Sequence, residues 1–252
     1  FSFDSSKADE VLMEGSRVAE LYKNAGLLAT VVPHAPYSVS EQLFDGIDLQ
    51  QAKFPGVISM HNQETASENE MFVSAAGELV ELFKKFGEDF SNFHPNFSSS
   101  LAYSFSQLPK NQNVLLIHNT ETTAEEMNWT NAQRNDIFWC TCPSANLYIE
   151  NRLPNLAMWI ENESKICVGT DSLASNHQLS ILEELKLIER FYPEITLASL
   201  MVFATINGAT ALGMHNNLGT FEKGKAPGVV LIANSDLKHM KFGNDSFATR
   251  II

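Results

Sequence analysis

The sequence predicts an α/β fold of repeated strand–helix units, and three observations predict it. Short runs rich in Val, Ile, Leu or Phe recur along the chain. They alternate with amphipathic helical stretches, and four of them end on a residue able to bind a metal or move a proton. The four read Thr30-Val-Val-Pro-His34, Val57-Ile-Ser-Met-His61, Val114-Leu-Leu-Ile-His118 and Ile166-Cys-Val-Gly-Thr-Asp171. Continuous apolar runs suit parallel strands covered on both faces. The carboxyl ends of such strands are where open sheets and (β/α)8 barrels place their chemistry.

Taken in order, residues 7–26 read as an amphipathic helix, with Val11, Leu12, Val18, Leu21 and Tyr22 near helical spacing. Strands are expected at 28–33, 56–61, 113–118, 136–142 and 165–170, and helices at 39–52, 69–87, 123–133, 152–162, 177–191 and 196–213. Three helix starts carry the capping-box pattern, Ser38-x-x-Glu41, Ser67-x-x-Glu70 and Thr123-x-x-Glu126. In each, the hydroxyl can accept a free N–H of the first turn while the Glu reaches back to the cap. The Phe-rich segment 88–112 is longer than an ordinary connection. It reads either as a surface excursion packed by its own aromatics or as a wall or lid of a pocket. Beyond residue 214, a turn-rich hairpin leads to a final strand at 228–233. The expected division is a catalytic domain over 1–215 and a segment over 216–252 that returns toward a β appendage.

Size and composition bound the function. At 252 residues with 44% hydrophobic content, the chain can bury a full α/β core. A net charge of −13 argues against a nucleic-acid partner, since little here would neutralise phosphates. No apolar run approaches the roughly 18 residues of a membrane span. Cys140, Cys142 and Cys167 are an odd set without a secreted spacing, which reads as reduced thiols in a cytoplasmic protein. Two thiols at Cys140-x-Cys142 fall short of a structural zinc site.

Five motifs in series resemble the metal-dependent amidohydrolase superfamily, and more narrowly its aminohydrolase branch of heterocycle deaminases and chlorohydrolases. They are Pro33-His-Ala-Pro-Tyr-Ser38, His61-Asn-Gln-Glu64, His118-Asn-Thr120, Cys142-Pro-Ser-Ala-Asn146 with Leu153-Pro154, and Gly169-Thr-Asp-Ser-Leu-Ala-Ser-Asn176. The element Leu218-Gly-Thr-x-Glu-x-Gly-Lys-x-Pro-Gly is similar to the point where such chains return to a β-sandwich. The resemblance implies a (β/α)8 TIM-type barrel of which this chain carries strands 4–8, plus a small C-terminal β segment. It implies one divalent transition metal, zinc first and iron as the alternative, with His61 and Asp171 as ligands. It also implies a His-x-His pair on strand one, and no two histidines of this chain stand two apart. The chain opens Phe-Ser-Phe-Asp-Ser without an initiator Met. The expectation is therefore a C-terminal portion of a protein of roughly 370–400 residues, the length a full barrel with its appendage needs. A homodimer, or association with the remaining N-terminal segment, follows from the resemblance alone.

The chemistry can also be argued from the residues. Hydrolytic deamination needs a nucleophile at neutral pH, and a metal-bound water supplies one by falling to a pKa of about 7. Imidazole and carboxylate donors suit zinc or ferrous iron. The ring nitrogen beside the attacked carbon must gain a proton, and Glu64, three residues past His61, is placed to shuttle it. Asp171 would bind metal and accept a proton from the water. His118 would donate to the developing alkoxide or orient the nucleophile. His34 and, with them, Glu64 and His118 would contact substrate, His34 on the resemblance alone. The expected activity is release of ammonia from an aromatic heterocyclic amine, of purine base or nucleoside type. The alternatives are a cyclic amidase or chlorohydrolase on the same scaffold, or a chain inactive for want of the His-x-His ligands. Glu68 and Glu70 read as residues that cap and charge a helix start. His94, His177, His215 and His239 read as ordinary surface or core histidines. Ser144, Asn146 and Asn151 read as a structural loop, and Ser172 and Asn176 as supports for Asp171.

Overall fold

Parallel strand pairs joined by long helical crossovers dominate the computed structural model, which describes residues 3–51, 53–87, 90, 93, 95–110 and 112–252. The chain divides into two compact units, Phe1–Ile137 and Phe138–Ile252. In the first unit, α1 (Ala8–Asn24) and α2 (Glu41–Gln50) precede β1 (Ile58–Asn62). Three helices follow: α3 (Ala66–Ser74), α4 (Glu78–Lys85) and α5 (Ser100–Gln107). They lead to β2 (Val114–His118) and α6 (Ala124–Gln133). β1 and β2 pair in parallel, with Ile58 opposite Val114 and Asn62 opposite His118. Both strands read as apolar because their inward residues Ile58, Met60, Val114 and Leu116 are at most 1% exposed. Each such burial stabilises by about 2 kcal/mol before entropy is counted.

The second unit begins with β3 (Ile137–Thr141), α7 (Pro143–Glu150), α8 (Leu156–Glu161) and β4 (Ile166–Val168). Next come α9 (Ile181–Phe191), α10 (Leu197–Ala204) and α11 (Ile206–Ala211). β3 and β4 pair in parallel, Trp139 opposite Ile166 and Thr141 opposite Val168. Trp139 and Trp159 are fully buried with ring centroids 6.2 Å apart. The chain ends in an antiparallel hairpin of β5 (Val230–Ala233) and β6 (Phe247–Arg250). No helix among the described residues is long and apolar enough to cross a membrane.

Several expectations are corrected. Residues 28–33 form no strand: Leu27 and Leu28 are exposed, and Pro33 has no N–H to give to a ladder. The stretch is tied instead by Gln51 Nε2 donating to Val31 O (3.0 Å) and His61 N donating to His34 O (2.9 Å). The helix expected over 69–87 is two, because the backbone turns left-handed at Ala75 (φ 53°) and Gly77 (φ 97°). The helix over 196–213 is likewise two, parted at Thr205. Cys142–Asn151 is not a loop: Pro143 opens α7 at its first position and Asn151 closes it in the left-handed region. Segment 88–112 contains α5, capped by Ser99, and its buried Phe90 stacks on Phe3 and Phe83. His94 and parts of that segment lie outside the described residues.

Of the three capping boxes, the one at Thr123 and Glu126 forms. Ser40, not Ser38, caps α2, and Thr65, not Ser67, caps α3. Ser38 is drawn away because its hydroxyl lies 2.6 Å from His34 Nδ1.

Candidate active site

In the first unit, the two strand ends bring histidines together. His61 is the penultimate residue of β1 and His118 the last of β2, and their rings lie 5.2 Å apart between centroids. The His34 ring meets His61 edge-on at 4.8 Å, with its Nδ1 fixed against Ser38. Glu64, just past β1, reaches back so that its Oε1 lies 3.4 Å from His118 Nε2. Thus His34, His61, Glu64 and His118 of the expected site share one location. The backbone there is unusual for non-glycine residues: Gln63 (φ 46°), His118 (φ 76°) and Asn119 (φ 56°) all lie in the left-handed region. Each such residue costs about 1–3 kcal/mol, and clusters of them mark sites where the surroundings over-determine the geometry.

Those surroundings are polar and buried. Asn62 Nδ2 donates to Asn119 Oδ1 (3.0 Å), and Asn119 N donates to Asn62 O (2.9 Å). Gln63 is fully buried and spans both loops. Its Nε2 donates to Glu126 (2.8 Å) and Asn69 (3.2 Å), and its Oε1 accepts from Thr122 (2.6 Å). The third residue of α3, Glu68, is also fully buried. Its two oxygens accept Gln63 N (2.7 Å) and Glu64 N (3.2 Å). Burial pushes the Glu68 carboxyl up to about 7, against the pull of Ser100 and of those two N–H groups. Burial also raises the Tyr37 phenol, helped by the negative charges of Glu68 and Glu64. Sequence reasoning missed Gln63 and read Glu68 as a helix-start residue, which it is, without its hold on the loop before the cap. The available signal was Thr65-x-x-Glu68, a cap pattern directly abutting Glu64.

The second unit holds Asp171, three residues past β4, at φ 55°. The Ser175 hydroxyl donates to its Oδ2. Asn176 Nδ2 donates to Thr170 O (2.7 Å) and to Glu184 Oε1 (2.7 Å). Glu184, fully buried on α9, also accepts Ser144 N through Oε2 (2.8 Å). Asn176 therefore supports the Asp171 loop through its backbone, while Ser175, which the sequence did not single out, touches the carboxylate directly. Cys140, Cys142 and Cys167 are buried free thiols. Contact with Cys142 and then burial raise Cys140, and burial pushes Cys167 up to about 12. Such thiols are inert at neutral pH. His177, His215 and His239 are exposed. Among the described residues no group of three or more His, Cys, Asp or Glu side chains is arranged to hold a metal ion.

Residues 3–250 match the sequence pattern described as Amidohydrolase family. The chain is 25% identical over 247 residues to a 5'-deoxyadenosine deaminase of Methanococcus vannielii, covering 91% of this chain and 51% of the relative. It is 28% identical over 220 residues to an adenosine deaminase of Helicobacter pylori, covering 86% and 52%. The chain thus spans about half the length of the curated relatives it matches. Among solved structures, Helicobacter pylori aminofutalosine deaminase in complex with methylthio-coformycin superimposes with TM-score 0.75 at 25% identity, covering 87% of this chain and 54% of that one. A Xanthomonas campestris adenosine deaminase with bound zinc gives 0.70 at 22% identity, covering 92% and 49%, a likeness of fold.

Proposed function

We propose, for a chain that belongs to the amidohydrolase family, hydrolytic deamination of the exocyclic amine of a purine base or nucleoside. The scaffold in this reading is a (β/α)8-type barrel, to which the described residues contribute the four parallel strands β1 to β4. The observation that carries the proposal is the approach of Glu64 to His118 beside His61 and His34 at the ends of two adjacent parallel strands. A carboxylate within reach of an imidazole, at backbone held in the left-handed region, is how proton-transfer groups are poised. The relatives named above, deaminases of adenosine-type compounds, support the substrate class.

Taken separately, His61 offers an imidazole and Asp171 a carboxylate, donor kinds that zinc or iron accepts. They do not fit in number, since no described group supplies three. No step is therefore drawn through a metal, and the steps that follow belong to this chain's own residues. Glu64 takes one proton from the attacking water and gives it to the ring nitrogen beside the amine-bearing carbon. His118 donates a hydrogen bond to the oxygen added at that carbon. Glu64 then carries the second proton to the amine, the carbon–nitrogen bond breaks, and ammonia leaves. His34, held by Ser38, faces the same location and contacts the substrate.

The test is ammonia release by the purified, zinc-supplemented protein from 5'-deoxyadenosine, adenosine, 5'-methylthioadenosine and guanine. Release from at least one is expected, with Glu64→Gln lowering turnover by about 10²-fold or more. Ammonia from none of them, or halide release from a chlorotriazine in its place, would defeat the reading.

A further inference from the structure

We propose that Glu68 is a positioning residue for Glu64, its buried carboxylate holding the peptide N–H groups of Gln63 and Glu64 so that the Glu64 side chain stays against His118. The inference rests on the deaminase reading and names a residue which that reading does not use. Two consecutive N–H groups point to one side here because Gln63 sits at φ 46°. Such a turn forms a concavity that binds an anion. Here the occupant is a side chain of the protein itself. Glu68 Oε1 takes Gln63 N at 2.7 Å and Oε2 takes Glu64 N at 3.2 Å. The first of these is short, as charge-assisted bonds are.

The chemistry explains why a glutamate stands there. A helix start requires only the Thr65 hydroxyl, which accepts Glu68 N at 3.4 Å. In a closed capping box the Glu68 carboxylate would reach back to Thr65; instead it goes to the loop before the cap. It is 0% exposed, so it contributes no solubility and no surface ion pair. Its two oxygens accept the N–H groups of the two residues that follow β1, Gln63 and the proposed proton carrier Glu64 itself. The same loop is tied on its other side, where Gln63 reaches Thr122, Glu126 and Asn69. Glu64 is thereby delivered from a braced backbone, and its 3.4 Å approach to His118 Nε2 follows.

Glu68→Gln tests this with little change in volume. An amide presents one acceptor and one NH2, so one peptide N–H would face a donor and the brace would open. The expected result is a fall in kcat of about 10- to 100-fold, the scale of a catalytic group misplaced by about 1 Å. KM is expected to change less than kcat, since His34 and His118 do not depend on the Glu68 carboxylate. Glu64→Gln/Glu68→Gln should be no slower than Glu64→Gln by itself, because Glu68 acts through Glu64. A merely structural role would give losses that multiply. Folding is checked by thermal melting, and by NMR of the Gln63 and Glu64 amides, which should shift and exchange faster in the variant. Unchanged kcat in folded Glu68→Gln, or multiplying losses, overturns the proposal. If Glu68→Gln does not fold, amide exchange in the parent decides: core-like protection of both N–H groups supports the brace, and free exchange overturns it. Should the parent release no ammonia, the deaminase reading fails while the amide measurements still judge the brace.

Discussion

Two loops of this protein, one in each unit, solve the same problem with opposite sequence geometry. After β1, the loop carrying Glu64 is held by Glu68, which lies four and five residues from the N–H groups it accepts. After β4, the loop carrying Asp171 is held through Asn176 by Glu184, eight residues further on. The same Glu184 also takes Ser144 N, forty residues back along the chain. Both glutamates are fully buried. In both loops a carboxylate accepts N–H donors beside a residue proposed for chemistry. The difference teaches that a local brace fixes one loop, whereas a remote brace also joins two loops to each other. Losing the remote one should therefore cost more of the fold.

The largest expected effect follows directly. Glu184→Ala leaves the Ser144 N–H and the Asn176 amide without their shared acceptor in a dry site. At about 1–3 kcal/mol for each stranded donor, the loss should be about 4 kcal/mol. Chemical denaturation measures it. A loss below that of Glu68→Ala would break the comparison between the remote and the local brace.

A smaller effect separates the two braces by pH. In the folded protein Glu68 ionises at about 7, against an ordinary 4.5, with burial the chief cause. Between those values the folded protein keeps a proton that the unfolded chain has released. Stability from this group is therefore full below about 4.5, declines as pH rises toward 7, and is level above it. The change across that window is roughly 3 kcal/mol. Denaturation midpoints from pH 4 to 8 should show the decline, and Glu68→Gln should flatten it. A parent curve that does not decline between pH 4.5 and 7 would show that the buried carboxyl is solvated. The ionised brace is thus the less stable form, a cost that sites under functional constraint commonly carry.

The same contrast explains what the sequence could tell. Strands ending on His61 and His118 were legible because apolar runs and their terminal residues are local features. β1 and β2 fall within two residues of their expected limits. Residues 28–33 misled because Val31 and Val32 carry strand propensity, while the lack of a ladder depends on what lies beside them. α7 was missed although Pro143 and Asn151 mark both its ends, since its eight residues are too short for a periodic signal. Glu68 was visible as a helix-start residue but not as a brace. Nothing local to it records the left-handed turn at Gln63 that aims two N–H groups at its carboxylate. Glu184 was beyond reach altogether, because its partners are set by folding rather than by spacing. Ser175 was passed over for Ser172, a choice decided by how the loop turns after Asp171.

The smallest expected effect distinguishes two glutamates in the same helical position. Glu126 is the third residue of α6 and Glu68 the third of α3, each following a threonine cap. Glu126 closes its box: Oε2 accepts Thr123 N at 2.9 Å and the Thr123 hydroxyl at 3.0 Å, and Thr123 Oγ1 accepts Glu126 N at 3.2 Å. Its other oxygen is left to take Gln63 Nε2 at 2.8 Å. Glu68 leaves its box open, and Thr65 Oγ1 accepts Glu68 N at a longer 3.4 Å. A closed box satisfies two helix-start donors and an open one satisfies a single donor. Thr123→Ala should accordingly cost about 1 kcal/mol and Thr65→Ala about half as much. Thermal melts of the two variants side by side provide the measurement. Equal losses would mean that Glu68 serves its cap as fully as Glu126 does, leaving no carboxylate to spare for the loop that carries Glu64.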